Sequence, residues 1–532
     1  LLSLKNLHIP LFFSTFVRYF VITKFDFKLF AMLTATEIHQ LLEKGERLTL
    51  ECKRCENKLP NSLWETYSAF ANSYGGTILL GIEEHREETE PNRRFTVQGV
   101  ANSDKLITDF WNLANDPNKV NINLFKDEDV HTVSVDGVDV IVIHVPRADY
   151  HLRPVYINNN PLRGAYRRNN EGDYHCTDAE LRMMLRDTNE LGNDDMLLEG
   201  YAMDDIDLPT LNSYRNHFKS GSPDHPFNRL SDEDFLRQFG CMVKDKQTGK
   251  EWLTMAGLLM FGKGLPIRTR FSNLRLDYID KSHLVGEMRY SDRLTYDGTW
   301  ENNLFNFAMF VLPRLVRELP HPFKMDGLQR KDDTLQDKAI REAMTNAIIH
   351  ADLMIIGVLK VEKFNDKFVF TNPGLLKLPV EQIYAGGESR ARNLHIQTLF
   401  RMIGLGENIG SGFPLILNAW DEKHWLRPEL VEQPDLLQVK LTLTIESKEG
   451  EGLVEKLVEK LGKRLGKKLG KNSIAIIELI VNNPNITYVE IAETLSVSTT
   501  TVENRIAEMS GVIIQHVGPK KNGHWEIIDS NK

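Results

Sequence analysis

A carboxylate and a carboxamide stand four residues apart in the stretch Arg341-Glu342-Ala343-Met344-Thr345-Asn346-Ala347-Ile348-Ile349-His350-Ala351-Asp352. Residues i and i+4 project side by side from one helical face. Glu342 can then orient a water while Asn346 offers its carbonyl oxygen to a hard cation such as Mg²⁺, which prefers oxygen ligands. The spacing suits a nucleotide site, yet a short motif of this kind is more often a plain solvated helical face, so the flanks must decide. Downstream, Phe368-Val369-Phe370-Thr371-Asn372-Pro373-Gly374 reads as a strand running into a turn. The Gly-rich segment Gly404-Leu405-Gly406-Glu407-Asn408-Ile409-Gly410-Ser411-Gly412 follows about thirty residues later, and its backbone amides can cradle an anion. Between them, Glu388-Ser389-Arg390-Ala391-Arg392-Asn393 is either a source of cations for phosphates or a solvated helix start.

Helix, strand-turn and Gly-rich loop in this order resemble the GHKL ATPase fold of gyrase, heat-shock and histidine-kinase ATP domains. The resemblance is to the variant in bacterial proteins described as helicase-related or as transcriptional regulators. It implies ATP and Mg²⁺ as cofactors, Glu342 orienting water, Asn346 on Mg²⁺, the Asn372/Gly374 turn facing adenine, and Gly404, Gly406, Gly410 and Gly412 over the phosphates. One departure stands out. Better-known members carry Asp-x-Gly in the adenine turn, and this chain has Asn372-Pro373-Gly374. Asn still accepts through its carbonyl, without the charge assistance of a carboxylate.

The elements that must position these residues belong to a larger chain. At 532 residues, 41% apolar and 26% charged, it has a soluble globular composition with room for about three domains of 100 to 200 residues. A net charge of −9 argues against the whole surface binding a polyanion, so nucleic-acid contact must come from a local basic region. Four cysteines imply no disulfide framework, and Cys52-Lys53-Arg54-Cys55 is a lone C-x-x-C whose Cys52 reads as buried packing. The expectation is a reduced, cytoplasmic protein. Leu11 to Phe30 is apolar but interrupted by Arg18, Lys24, Asp26 and Lys28, which leaves no membrane span. Residues 1–31 read as a disordered upstream extension, with Met32 opening a helix over Ala35 to Lys44.

From Glu46 the chain alternates as a strand through Lys53, continues as a helix over Leu63 to Ser73, and then runs from Gly75-Gly76 into a buried strand ending at Glu83-Glu84. Glu51 and Lys53 share a face and predict a surface ion pair. With the strand Val138 to Val145 and a late hairpin from Pro154-Val155-Tyr156 to Tyr166-Arg167-Arg168, this order resembles the Schlafen AlbA-type, or divergent AAA, domain. In nuclease members of that family three acidic residues hold a divalent metal and cut RNA. Matching the motif places them at Glu46, Glu51 and Glu84 with Lys53 beside them, and sharing one metal requires Glu46 to lie in the turn near Gly45. Arg163, Tyr166, Arg167 and Arg168 offer cations and an aromatic to phosphates and a stacked base.

Residues 188–330 carry alternating helical and strand signals without a catalytic constellation and read as a connecting α/β layer. Leucines at 453, 457, 461, 465 and 469 step by four, so the stripe drifts about 40° per step around a helix. With Gly462, Gly466 and Gly470 interrupting it, 448–472 reads as a weak basic linker. Beyond it, Ile474 to Val481 is a helix, Thr487-Tyr488-Val489-Glu490 a capping box opening a second to Leu495, and Ser498 the cap of a third through Met509. A hairpin around Lys520-Lys521-Asn522-Gly523 completes a winged helix-turn-helix. Val502, Ile506 and Met509 fall on its core side, leaving Thr499, Thr500, Glu503, Asn504 and Arg505 for a major groove and Lys520 and Lys521 for the DNA backbone.

The expected fold is therefore α+β and multidomain: a Schlafen AlbA-type α/β domain (32–187), the connecting region (188–330), a GHKL-like α/β sandwich (331–447), the linker and a winged helix (473–532). The expected function is a nucleotide-responsive, DNA-binding transcriptional regulator, with RNA as a further partner and homodimerisation a family-level expectation. The alternative is a Schlafen-like metal-dependent nuclease in defence or stress response. A helicase-related ATPase ranks last, because no G-x-x-x-x-G-K-[ST] P-loop occurs.

Overall fold

Thr34 accepts from the backbone N–H of Glu37 while the Glu37 carboxylate returns to the Thr34 N–H, a capping box that starts the first helix, α1 (Ala35–Lys44). Ile38 and Leu42, one turn apart, are its buried stripe. The computed structural model describes residues 33–46, 48–85, 87–88, 94–246, 249–317, 319, 325–326, 329–330, 334–406, 411–445, 471–482, 486–495, 497–510, 513–517 and 524–527. The expected extension 1–31 and residues 448–470 of the expected linker 448–472 lie outside them, while Lys471 and Asn472 begin a helix. Contacts divide the chain into two units, 1–190 and 191–532.

In the first unit β1 (Leu50–Lys53), α2 (Leu63–Asn72), β2 (Gly76–Leu80), β3 (Ile82–Glu84), β4 (Phe95–Val97), α3 (Ser103–Ala114), β5 (Val130–Val135) and β6 (Val138–Val145) follow in order. A four-stranded sheet has the order β1-β2-β6-β5, with β1 parallel to β2 and the other pairs antiparallel. Its two faces are covered separately. Ile38 and Leu42 of α1 pack with Leu50, Leu79 and Val142 on one face, while Trp64, Phe70 and Phe110 pack with Ile78, Ile141 and Ile143 on the other. Successive side chains of a strand point to opposite faces, which is why Ile78 and Leu79 enter different clusters. The run expected as one strand to Glu84 breaks at Gly81, whose φ of +99° suits glycine and whose missing Cβ admits the Gly99 backbone. Glu84 consequently sits on a separate ribbon, β3 with β4. The late hairpin also shifts: β7 (Tyr166–Asn169) pairs with β8 (Gly172–His175), and Tyr156 makes only a single bridge to Ala165. Helix α4 (Asp178–Asp187) follows.

The second unit opens with α5 (Leu208–Gly221) and α6 (Met255–Phe261), then β9 (Leu276–Asp280), β10 (Asp292–Leu294) and α7 (Leu304–Val316). Next come α8 (Leu335–Ile349), β11 (Leu359–Lys363), β12 (Lys367–Pro373), α9 (Val380–Ala385), α10 (Leu394–Met402), α11 (Gly412–Glu422), β13 (Glu429–Gln433) and β14 (Gln438–Thr444). One six-stranded sheet has the order β10-β9-β11-β12-β14-β13, with only β9 and β11 parallel. Two strands from the stretch read as a connecting region thus belong to the sheet of the GHKL-like domain. A continuous core joins Tyr214, Phe261 and Phe305 to Ile340, Phe400 and Trp420. Those helices complete a layer that the later segment lacks by itself.

The C-terminal helices α12 (Lys471–Asn482), α13 (Tyr488–Leu495) and α14 (Thr499–Met509) precede the hairpin β15 (Ile514–Val517) and β16 (His524–Ile527). Ile476, Ile480, Ile491, Val502, Ile506 and Trp525 form their core. The Trp525 indole N–H also donates to the Ile486 carbonyl at 2.9 Å, fastening the hairpin to the start of α13.

Trp420 is fully buried, and its indole N–H donates to the Thr444 carbonyl at 2.7 Å, joining α11 to β14. Trp420→Ala is expected to cost about 3 to 5 kcal/mol through the cavity and the unpaired carbonyl. Chemical denaturation followed by circular dichroism checks this; an unchanged midpoint would remove α11 from the support of the sheet.

Candidate functional site

Helix α8 carries Glu342 and Asn346. Its N-cap Thr334 forms a capping box with Asp337, and Ala339, Ile340, Ala343, Ala347 and Ile348 bury its inner face. Glu342, Asn346 and His350 fall at successive steps of four and line a cleft with about 1140 Å³ of free space, the part open to solvent included. The Asn346 amide donates to Glu342 Oε1 at 3.1 Å, which orients the carboxamide oxygen away from the carboxylate. Glu342 is 7% exposed and lies against the first residue of α11, where a Cβ on Gly412 would overlap its carboxylate. A carboxylate at a helix N-terminus is favourably placed relative to the helix dipole. The Thr345 hydroxyl donates to the Leu405 carbonyl at 2.7 Å and so ties the Gly404–Gly406 turn to α8.

The opposite wall is the end of β12 and the segment after it. Asn372 lines the cleft, 7% exposed, beside Phe370, Leu378, Ile383, Phe413, Val439 and Leu441. Gly374 turns the chain at φ +99°, where a Cβ would crowd Asp352 Cβ at 3.1 Å. Arg392 is buried and donates to the His350 and Leu375 carbonyls, and the Asn393 amide donates to the Ile348 and Ala351 carbonyls. Together they satisfy the C-terminus of α8. The segment read either as a source of cations for phosphates or as a solvated helix start puts both Arg390 and Arg392 on the cleft wall, with Arg392 also donating to backbone carbonyls. Burial, with Arg392 and Lys377 nearby, pushes the His350 imidazole down to about 4, so it is neutral at physiological pH.

In the first unit the three expected carboxylates do come together. Glu46 lies just before β1, after Gly45 at φ +77°, and Glu46 Oε1 accepts the Cys52 N–H at 2.8 Å. Each of the others meets a cation. Glu51 pairs with Lys53 Nζ at 2.8 Å and Arg168 Nη2 at 2.8 Å, and Glu84 accepts from Arg94 Nη2 at 2.7 Å and Nε at 2.9 Å. The Glu51–Lys53 pair expected at the surface is buried, with 11% and 10% side-chain exposure. Arg168, expected on a hairpin open to nucleic acid, has a fully buried side chain shared by Glu51 and Asp173. Arg167 pairs with Glu180. Burial, then the charges of Glu51 and Glu84, push the Glu46 carboxyl up to about 7.

On α14, Thr499, Thr500, Glu503 and Asn504 are exposed, and Arg505 is partly buried with Glu508 at 3.5 Å. Val502, Ile506 and Met509 are buried as the spacing predicts. Lys520, Lys521 and Gly410 lie outside the described residues.

Four stretches match known families. Residues 46–177 match the family described as Schlafen, AlbA_2; residues 358–441 match that described as putative ATP-dependent DNA helicase RecG C-terminal; and residues 469–510 match winged helix-turn-helix DNA-binding. Residues 182–277 match a domain of unknown function. This chain joins a Schlafen AlbA_2 domain, a RecG C-terminal-type ATPase-like domain and a winged helix. Among solved structures, the DIP2311 protein of Corynebacterium diphtheriae is 18% identical, covers 92% of this chain and 96% of its own, and superposes with a TM-score of 0.37. The N-terminal domain of a putative ATP-dependent DNA helicase RecG-related protein from Nitrosomonas europaea is 26% identical over 27% of this chain and 95% of its own, with a TM-score of 0.22. No curated protein matches.

In the RecG C-terminal-type domain the structure brings Glu342, Asn346, Asn372, Gly406 and Gly412 to one cleft. Gly374 and Gly404, both at positive φ, shape the flanking turns instead. His350, Lys377, Arg390 and Arg401 also line it. His350 was accessible to the sequence, since it continues the four-residue step from Asn346, whereas Lys377 and Arg401 carry no local signal. In the AlbA_2 domain, the carboxylates as they stand do not fit a divalent metal: Lys53, Arg168 and Arg94 already neutralise Glu51 and Glu84. Among the described residues no group of three or more His, Cys, Asp or Glu has metal-holding geometry.

The Glu46 carboxyl, raised from 4.5 to about 7, binds its proton more tightly folded than unfolded. Its contribution to stability is full below about pH 4.5 and is lost as pH rises through about 7, amounting to roughly 3 kcal/mol. Glu46→Gln keeps an acceptor for the Cys52 N–H and removes the charge. Thermal unfolding of the variant is expected to show stabilisation over wild type at pH 8 that vanishes near pH 4; equal shifts at both values would refute the raised carboxyl.

Proposed function

We propose that the chain is an ATP-binding, DNA-binding regulator in which nucleotide held in the cleft beside α8 controls the winged helix. The observation that carries this is the convergence of Glu342, Asn346, Asn372, Gly406 and Gly412 on one cleft, from three separate stretches of the sequence. The Phe370, Val439 and Leu441 wall suits a flat base, and Asn372 is the polar group beside it. Lys377 and Arg390 on the cleft wall offer cations, and the backbone at Gly406 and Gly412 offers amides, for phosphates. Asn346 offers its carboxamide oxygen to Mg²⁺, an ion that takes few protein ligands when phosphates supply the rest. Bound there, Mg²⁺ would neutralise phosphate charge. Glu342, buried and aligned by Asn346, is the group to orient a water for hydrolysis.

On α14, Thr499, Thr500, Asn504 and Arg505 form the face offered to a DNA major groove, with Lys520 and Lys521 for the backbone. The AlbA_2 domain is read as a second nucleic-acid-binding element, of DNA or RNA. The nuclease alternative, with Glu46, Glu51, Lys53 and Glu84 as catalytic residues, is disfavoured by the ion pairs that occupy Glu51 and Glu84. Four free cysteines suit a reducing cytoplasm, and no helix among the described residues is long and apolar enough to cross a membrane. A homodimer is part of the same proposal.

Titration with a fluorescent ADP analogue in the presence of Mg²⁺, with duplex DNA binding read in the same samples, tests it. Asn346→Ala is expected to weaken Mg²⁺-dependent nucleotide binding about tenfold or more, which is about 1.4 kcal/mol. Nucleotide is expected to change DNA affinity in wild type and not in the variant. Arg505→Ala is expected to weaken DNA binding without changing nucleotide affinity. Wild-type protein that binds neither ligand, or binds both independently, would defeat the coupling.

A further inference from the structure

The carboxamides around the α8 cleft are not equivalent. Asn346 is oriented by Glu342, through its amide at 3.1 Å, and Asn393 is fixed by the carbonyls of Ile348 and Ala351. Asn372 differs from both. It is 7% exposed and lines the cleft, and its side chain forms no hydrogen bond with any described residue. Its amide atoms reach the cleft, where a ligand can meet them. Its unmet donor and acceptor point to a ligand that carries the complementary pair.

We propose that Asn372 makes the base end of this cleft accept guanine as well as adenine nucleotides. The inference rests on the nucleotide reading given above. A carboxamide has one acceptor oxygen and an NH₂ donor in a single plane, and rotation by a half-turn exchanges them. Adenine offers an amino donor next to a ring-nitrogen acceptor. Guanine offers the O6 acceptor next to the N1–H donor. The Asn372 amide meets either edge with two hydrogen bonds, because no internal partner selects one orientation. A carboxylate at this position offers acceptors only: it takes the adenine amino group but leaves adenine N1 unmatched, whereas it accepts from guanine N1–H and the guanine 2-amino group together. The other carboxylates on the cleft wall do not take over that selection: Glu342 lies against α11 and Glu388 is engaged by Gln382 at 2.9 Å. The neighbouring Phe370, Val439 and Leu441 are apolar and indifferent to which purine lies against them.

The full chain is titrated with MgADP and MgGDP in competition with a fluorescent ADP analogue. Wild type is expected to bind the two within tenfold of one another. Asn372→Asp, which keeps acceptors and removes the donor, is expected to shift the preference toward GDP by tenfold or more. Asn372→Ser, which removes the planar amide without adding charge, is expected to weaken both nucleotides by the same factor within threefold, and it decides the matter if the Asp variant fails to fold. A hundredfold wild-type preference for ADP would overturn dual purine recognition while leaving the nucleotide site standing. Binding of neither nucleotide would overturn both.

Discussion

The attachment of α8 is the constraint on which the second unit depends. Gln336 donates from its side chain to the Ala419 carbonyl of α11 at 2.8 Å, Thr345 donates to Leu405, and the Arg392–Asn393 pair caps the last carbonyls. Glu342 lies where any residue larger than glycine at 412 would displace it. A helix held at both ends and along one side presents its side chains at fixed positions, which a cleft with a polar constellation requires. The sheet beneath serves the same end: β12 lies between β11 and β14, so Asn372 is delivered from a strand paired on both sides.

The AlbA_2 domain is governed by charge compensation. Burial, with Glu51 and Glu84 nearby, raises the Glu46 carboxyl, and Lys53, Arg94 and Arg168 compensate Glu51 and Glu84. Arg168 also lies over the Phe70 ring at 5.0 Å, so its guanidinium packs as well as pairs. A buried arginine shared by two carboxylates is costly to desolvate and damaging to remove. The same feature that resembles a metal site in sequence is, in three dimensions, an internal ion network linking β1 to the β7–β8 hairpin.

Much of the fold was legible because local physics was strong. The helix Ala35–Lys44, the capping box at Thr487, the Ser498 cap and the apolar run Val138–Val145 all fall where their chemistry places them. The readings that failed share one cause. Gly81 looks like an ordinary residue within a strand until the approach of Gly99 is known, and Arg168 looks solvated until Glu51 and Asp173 arrive from elsewhere in the chain. The strands β9 and β10 have no periodicity that reveals their membership of a sheet completed by residues 359–444.

For the cleft, the sequence by itself determined that Glu342, Asn346 and His350 share a helical face, because the repeat of a helix is set by backbone geometry. It also determined the identity of Asn372 and the glycine that turns the chain after it. Only tertiary structure decided that these stretches meet, that Arg392 donates to the carbonyls at the end of α8, and that Glu51 and Glu84 of the AlbA_2 domain carry their own counterions. The physical reason is range: helix repeat and turn chemistry act within a few residues, whereas burial, ion pairing and the environment of a carboxyl depend on groups brought together by folding.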